Sequence, residues 1–354
     1  MSESRLRVLC IGETWLGSDA RAAFMALRRL GHSIHILDEA HYFPSHWRLT
    51  PNRIARRVLK GMFVQELVHD AARLVNRFKP HCLFVFKGST VHPRIVEHAR
   101  NRGAAAVNYY PDVSFMVHGP FIPKALPLYD RVFTTKSYGL KDMRMLLGVD
   151  RATFLEPGYD PELHRPVDLT QEEKHLYDCD AVFIGTWSPK KEALLTSLQA
   201  ALPDIRLKVW GCQWDKSRSR ELMRCVVGDE VTGDEYTKAM CGAKICLGLL
   251  SEQRPGASSG DLITARTFQI PACGAFMLHE RNLEVLRYFN EDSEAAFFEG
   301  SEELAQKVRF YLTHDGTRNE IASNGLRRSV RDEYSIDGRM KTILSWLEQR
   351  IGAV

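Results

Sequence analysis

Short apolar runs alternate along this chain with longer stretches in which apolar residues recur every three or four positions. The first pattern predicts buried strands and the second amphipathic helices. Arg7–Ile11 is a continuous apolar run that stops at Gly12. Asp19–Leu30 follows with helical spacing and closes at Gly31, a residue suited to the left-handed turn that ends helices. Ser33–Leu37 predicts the next strand, Val64–Phe78 a helix, Cys82–Phe86 a strand and Pro93–Arg102 a helix. Ala105–Tyr109 and Val132–Thr135 predict two further strands. Short apolar strands separated by helices imply a parallel sheet covered on both faces.

The texture changes over Leu155–Pro166, where three prolines and few apolar residues predict a linker. Alternation then restarts. Ala181–Ile184 is a strand ending at Gly185, followed by helix Lys190–Leu202 and by strand Leu207–Trp210, which ends at Gly211. Helix Glu235–Cys241, strands Ile245–Leu249 and Ala275–Leu278, and helices Leu283–Phe289 and Ser301–His314 complete a second unit. The tail, Ile336–Ile351, repeats apolar residues at three-to-four spacing and predicts a long helix. At 354 residues the chain exceeds the roughly 250–300 at which single cores stop growing. The expected fold class is α/β, with two Rossmann-like doubly wound domains at 1–160 and 161–335 and a closing helix at 336–354. Such halves place ligands in a cleft facing the strand carboxyl ends.

Composition narrows the field. Hydrophobic content of 44% and charged content of 26% are those of an ordinary globular protein. No run approaches the roughly 18 apolar residues that cross a bilayer, and the N-terminus MSESRLRVLCIGE lacks a signal-peptide core. Eight scattered cysteines show no CxxC and no metal-like spacing, so they read as reduced thiols of a cytoplasmic protein. A net charge of only +4 excludes a general nucleic-acid binder. The charge is locally uneven, however: Arg48, Arg53, Arg56, Arg57 and Lys60 crowd the segment 48–60 around Ile54, Val58 and Leu59. This basic amphipathic segment is either a solvated helix face or a peripheral contact with an anionic acceptor or membrane surface.

Several strand ends carry candidate chemistry. Gly185, Gly211 and Gly248 allow the backbone to approach a phosphate, and Lys190 and Lys191 follow Gly185 at a helix start. Arg266 supplies a guanidinium able to bind a diphosphate bidentately or to pair with Asp261 or Glu280. The Ser/Gly-rich stretch 251–262, with Gly256 and Gly260, reads as a mobile lid or a plain connection. In the first half, Asp112 and the nearby His118 could act as general base or orient an acceptor hydroxyl, with Lys87 at another strand end. Gly12, Glu13 and Gly17 follow the first strand but do not form GxGxxG. Asp178 and Asp180 lack a third ligand, so neither a metal nor a cofactor is expected.

The spacing Asp261-x7-Gln269, followed by PACGAFML, resembles the nucleotide-sugar half-site of group-1 glycosyltransferases with the GT-B fold, the CgeB-like spore-maturation branch in particular. The resemblance is best over about residues 180–345. It implies a nucleotide-diphosphate sugar donor, an acceptor that is saccharide, lipid-linked or protein, retention at the anomeric carbon, and a C-terminal helix crossing back to the first domain. In that family two acids flank the site; here the first is the shorter Asp261, with an implied catalytic role, and the second is the amide Gln269. An amide oxygen still accepts a ribose hydroxyl. Thr186 stands where relatives often have arginine, so the lysine role passes to Lys191. The stretch 228–239, with Tyr236, resembles the base-holding segment, and Glu284 is placed to touch a sugar or ribose hydroxyl. Acceptor-side contacts fall to Gly12, Glu13 and Lys87. The alternatives are a nucleotide-sugar epimerase or a catalytically silent sugar-nucleotide-binding scaffold on the same fold.

Overall fold

The computed structural model describes the backbone of residues 5–42, 50–228 and 230–352, and their side chains except for 50–58. The chain forms two compact units, one comprising Met1–Glu156, Gln253–Ser259 and Ile336–Val354, the other Pro157–Glu252 and Gly260–Ser335. The first unit is built on β1 (Arg7–Gly12), β2 (Ser33–Asp38), β3 (Cys82–Phe86), β4 (Ala105–Tyr110), β5 (Arg131–Thr134) and β6 (Ala152–Phe154). These pair in parallel in the order β2-β1-β3-β4-β5-β6. β3 is buried along its whole length, as its uninterrupted CLFVF run requires.

One apolar layer contains Leu9, Ile11, Leu83 and Val85 together with Leu67, Ala71 and Val75 of the helix Thr50–Phe78. The other contains Val8, Cys10 and Phe84 with Phe24 and Leu27 of the helix Asp19–Arg29. The helix Ile336–Gly352 joins this second layer through Ile336, Met340, Ile343, Leu344 and Leu347. That three-to-four spacing puts all five on one face, and each buried side chain contributes roughly 1.5–3 kcal/mol. Arg29 adds an ion pair to Asp337.

The segment Gln253–Ser259 is held within the first unit. Ser114 Oγ donates to the Pro255 carbonyl at 2.6 Å, and the Ser258 N–H donates to the Asp142 carboxylate at 2.8 Å. The stretch read as a mobile lid is thus anchored by hydrogen bonds at both of these points.

The second unit carries β7 (Cys179–Ile184), β8 (Leu207–Trp210), β9 (Val226–Gly228), β10 (Ala243–Gly248), β11 (Met277–Glu280) and β12 (Ala296–Phe298). They run parallel in the order β12-β11-β10-β7-β8-β9. β6, β9 and β12 had no counterpart in the periodicity, because each is a three-residue strand at a sheet edge. β11 starts at Met277 instead of Ala275, since Gly274 at φ +67° and the Ala275 N–H to Ile270 bond use those residues in a turn. The predicted helix Leu283–Phe289 contracts to a 3₁₀ turn, Val285–Arg287. The unpredicted helix Asp315–Arg331 is largely polar, with only Ile321 and Ala322 as buried apolar residues. Among the described residues no helix is long and apolar enough to cross a membrane. Of the basic segment, Arg48 and the side chains of Arg53, Arg56 and Arg57 lie outside the described residues, while Lys60 is exposed.

Candidate functional site

In the second unit the winding reverses between β7 and β10, where the carboxyl ends of an open parallel sheet offer a ligand site. Gly185 follows β7 and Gly211 follows β8. Gly211 has φ +138°, and a Cβ there would lie 2.1 Å from the Gly185 carbonyl oxygen. A Cβ on Gly185 would lie 2.9 Å from Arg266 Nη1. These two glycines therefore let strand ends and a guanidinium meet where any side chain would collide. Gly248 serves a different neighbour: its Cβ would fall 2.3 Å from the His279 ring.

Arg266 lies near the start of the helix Ala265–Ala272, over the Phe183 ring at 5.2 Å. Its Nη2 donates to the Leu249 carbonyl at 3.0 Å, and its Nε–H is buried without an acceptor. Among the described residues it forms no ion pair with a carboxylate. Lys191 approaches the same ring, at 5.9 Å, and is 3% exposed. Its ammonium donates to the Thr186 carbonyl at 3.2 Å and to Ser251 Oγ at 3.0 Å. Two cations thus converge beside the glycine pair.

The neighbouring helix Pro189–Ala201 has its N-terminus filled by the protein itself. Glu252 Oε1 accepts the Lys190 N–H at 2.8 Å, Ser188 caps Lys191, and the Lys190 ammonium rests on Glu280 at 2.5 Å. Burial would raise the Glu252 carboxyl, but the Lys190 N–H and the Lys191 charge hold it below its usual range. By contrast, the helix Ala265–Ala272 has no acid in its first turn.

A neutral chain fixes that helix start. The Thr264 N–H donates to Thr267 Oγ1 at 3.0 Å, and Thr267 Oγ1 lies 3.0 Å from His279 Nε2. His279 Nδ1 lies 2.8 Å from the Glu280 carbonyl, so Nδ1 carries the proton and Nε2 accepts from Thr267. Complete burial, reinforced by the Arg266 and Lys190 charges, pushes the imidazole down to about 4. No motif marked His279; its only sequence signal is a polar residue directly after the apolar run Ala275–Leu278.

The residues expected to bind the donor do not all meet. Asp261 lies in the loop before the helix rather than on it, because Thr264 caps and starts the helix at Ala265. Asp261 and Ser251 bond through Asp261 N–H to Ser251 O at 2.9 Å and Ser251 N–H to Asp261 Oδ2 at 3.4 Å. Gln269 is buried, and its Oε1 accepts the Tyr236 hydroxyl at 2.7 Å, so two expected contacts engage each other. Glu284, also buried, precedes the Val285–Arg287 turn. Asp229, in the base-holding stretch, lies outside the described residues. Asp178 and Asp180 pair with Arg206, each at 2.9 Å; Arg206 and Lys244 hold Asp180 at about 2 against its burial. Among the described residues no three potential metal ligands cluster.

In the first unit the reversal falls between β1 and β3. Lys87 follows β3 at φ +62°, and its ammonium sits 2.8 Å from Asp112 Oδ2. His118 Nε2 lies 3.3 Å from the same oxygen. Burial, with help from Lys87 and Arg254, lowers the His118 pKa, while Asp112 opposes. Asp112, His118 and Lys87 are therefore brought together. Gly12 packs tightly, since a Cβ would meet Phe24 at 3.0 Å, and Glu13 is exposed. Sequence reasoning missed Glu39, 5% exposed, which accepts the Thr90 N–H at 3.1 Å and the Thr90 hydroxyl. Burial pushes its carboxyl up to about 7, with Glu13 raising and the Thr90 bonds and Lys87 lowering it.

The profile of the family described as "Glycosyl transferase-like" matches residues 190–345. No curated protein sequence matches the chain. Among solved structures, the sucrose-phosphate synthase of Thermosynechococcus elongatus superposes with a TM-score of 0.68 at 13% identity, covering 99% of this chain and 100% of that one. Anabaena HepE, solved with UDP-glucose, gives 0.68 at 11% identity over 98% and 100%. AviGT4, a glycosyltransferase of avilamycin A biosynthesis, gives 0.61 at 14% over 99% and 99%. At such identities the likeness carries the fold, which is that of the GT-B glycosyltransferases.

Proposed function

For a chain whose residues 190–345 match the family described as "Glycosyl transferase-like" and whose two parallel-sheet units have the GT-B fold, we propose a glycosyltransferase that moves a hexose from a nucleotide-diphosphate sugar to an acceptor hydroxyl. The observation that carries this reading is Arg266, a guanidinium with a buried, unaccepted Nε–H, beside two glycines and Lys191. A buried guanidinium N–H left without an acceptor is costly, and a diphosphate supplies an anionic acceptor in bidentate form.

As the sugar leaves, negative charge grows on the diphosphate, and Arg266 with Lys191 stabilises it in place without further reorganisation. The reaction proposed is metal-independent, because these cations do the work a metal would do, and retaining, as the resemblance to the group-1 glycosyltransferases implies. Asp112, with Lys87 and His118 around it, orients the acceptor hydroxyl. UDP is the first probe, since Anabaena HepE was solved with UDP-glucose. A second reading, a nucleotide-sugar-binding protein without turnover, is favoured by one feature: the Gln269 oxygen is already taken by Tyr236. Thermal unfolding with UDP, GDP, ADP and their sugars tests the proposal. A cognate ligand at 100 times its Kd adds about 2.7 kcal/mol of stability. No shift with any nucleotide would refute both readings; a shift without sugar transfer would leave only the second.

A further inference from the structure

The sequence reads Cys241 and Cys273 as two of eight reduced thiols, and the fold brings them together. Cys241 lies near the end of the helix Gly233–Gly242, and Cys273 caps the helix Ala265–Ala272. The Cys241 thiol donates to the Cys273 carbonyl at 3.4 Å and faces the Arg165 carbonyl at 3.9 Å, and the two side chains are close enough for each thiol to shift the other's ionisation. Both line a cavity of about 340 Å³ together with Pro166, Lys244 and Arg318. Cys273 is buried, whereas Cys241 is partly exposed.

We propose that Cys241 and Cys273 form a peroxide-reactive dithiol whose disulfide staples these two helices. The chemistry is asymmetric. The Cys273 thiol donates to Cys241 and holds it below the usual thiol range, with the Arg165 charge adding to the effect against burial. Cys273 itself is raised, first by that same hydrogen bond and then by burial. The thiolate is the reactive form, so Cys241 attacks and Cys273 resolves. The Cys241 sulfur bonds one peroxide oxygen as the O–O bond breaks, giving a sulfenic acid, and the departing hydroxide takes a proton to become water. Cys273 sulfur then attacks Cys241 sulfur; the S–S bond forms, the S–O bond breaks, and the second oxygen leaves as water with the Cys273 proton. Two thiols lose two electrons in all, and one peroxide becomes two waters.

The same helices carry Tyr236 and Gln269, joined at 2.7 Å. Tyr236 is five residues before Cys241, and Gln269 four before Cys273. A bridge between the helix ends would fix the spacing of that pair. This consequence, unlike the disulfide itself, rests on the donor-site reading above.

The test uses the reduced full-length chain and stoichiometric hydrogen peroxide, followed by intact mass and peptide mapping. The expected product has lost two hydrogens and links the Cys241 and Cys273 peptides. In Cys273→Ser, Cys241 should instead accumulate as a sulfenic acid trapped by dimedone. It should react faster than the other partly exposed thiols, Cys212 and Cys225, because the neighbouring Cys273 side chain favours its thiolate. Cys241→Ser, at a partly exposed position, should abolish the link without disturbing the fold. A link between other cysteines, or a Cys241 no faster than Cys212 and Cys225, would overturn the proposal. UDP titration before and after oxidation separates the two claims: no UDP binding by the reduced protein refutes the donor site while leaving the mapped disulfide intact.

Discussion

At the reversal of the first sheet, Lys87 touches Asp112, Asp112 touches His118, and Glu39 is buried against Thr90. At the reversal of the second, Arg266 has no carboxylate partner among the described residues and Lys191 donates to a carbonyl and a hydroxyl. Both units have wound the same kind of sheet, and both concentrate charge at the same topological position. The first balances its charges internally, which suits a neutral hydroxyl. The second leaves a buried cationic donor unaccepted, which suits an anion. The difference lies in which residues each unit spends at its strand ends, and it can be tested one side at a time.

The largest effect should come from the first unit. Asp112→Asn keeps the side-chain shape but removes the charge that holds Lys87 and His118. Sugar transfer should fall by about 10²–10⁴-fold, the span of a positioned proton acceptor, in a steady-state assay. UDP affinity should stay unchanged, because the substitution is on the other unit. A parallel loss of UDP binding would break the contrast.

The second unit should respond more strongly to acid. His279 and His164 are both pushed down to about 4 by burial, whereas an unfolded histidine titrates near 6.5. Between those values the unfolded chain binds more protons than the folded one, so stability rises with pH across this window. Lowering the pH from 6.5 to 4 should remove roughly 3 kcal/mol per histidine, read from urea unfolding followed by tryptophan fluorescence. His279→Gln, which keeps a hydrogen-bonding side chain, should flatten its share of that slope.

Arg266→Ala removes the unaccepted donor. UDP should bind about 30- to 100-fold more weakly, roughly 2–3 kcal/mol, the range for a charge-assisted hydrogen bond. Calorimetric titration reads this directly, and the unliganded protein should unfold at nearly the same temperature.

The smallest effect belongs to Glu39. Its folded pKa of about 7 lies above the unfolded value of 4.5, so the folded state binds the extra proton between them and stability falls as pH rises through that range. Of the roughly 3 kcal/mol this shift carries at pH 8, Glu39→Gln, whose amide must itself find hydrogen-bond partners, should recover about 1–2 kcal/mol, and little at pH 4.5. A gain that did not depend on pH would place the cause elsewhere.

Much of the fold was legible because its central strands are predominantly apolar runs bounded by turn residues. CLFVF predicted β3 to the residue, and LKVW predicted β8. The edge strands were not legible, since three residues carry no period. The helix Asp315–Arg331 was missed for the related reason that its buried face includes Arg318, Gly325 and Ser329. Glycines at strand ends were recognisable by position, yet only the structure separates their uses: Gly185 and Gly211 admit each other and Arg266, while Gly248 admits His279. Lys190 and Lys191 looked alike in sequence. One is neutralised by Glu280, 90 positions away, and the other is buried over Phe183 and donates to Ser251, 60 positions away. His279 and Glu39 depend wholly on such distant burial, which no local spacing encodes.

The most direct measurement is calorimetric titration of UDP into the parent protein and into Arg266→Ala under identical buffer. The parent should saturate with one site, and the variant should bind about 30-fold more weakly or worse. Equal affinity in the two proteins, or no binding to the parent, would contradict a diphosphate site built on the Arg266 guanidinium.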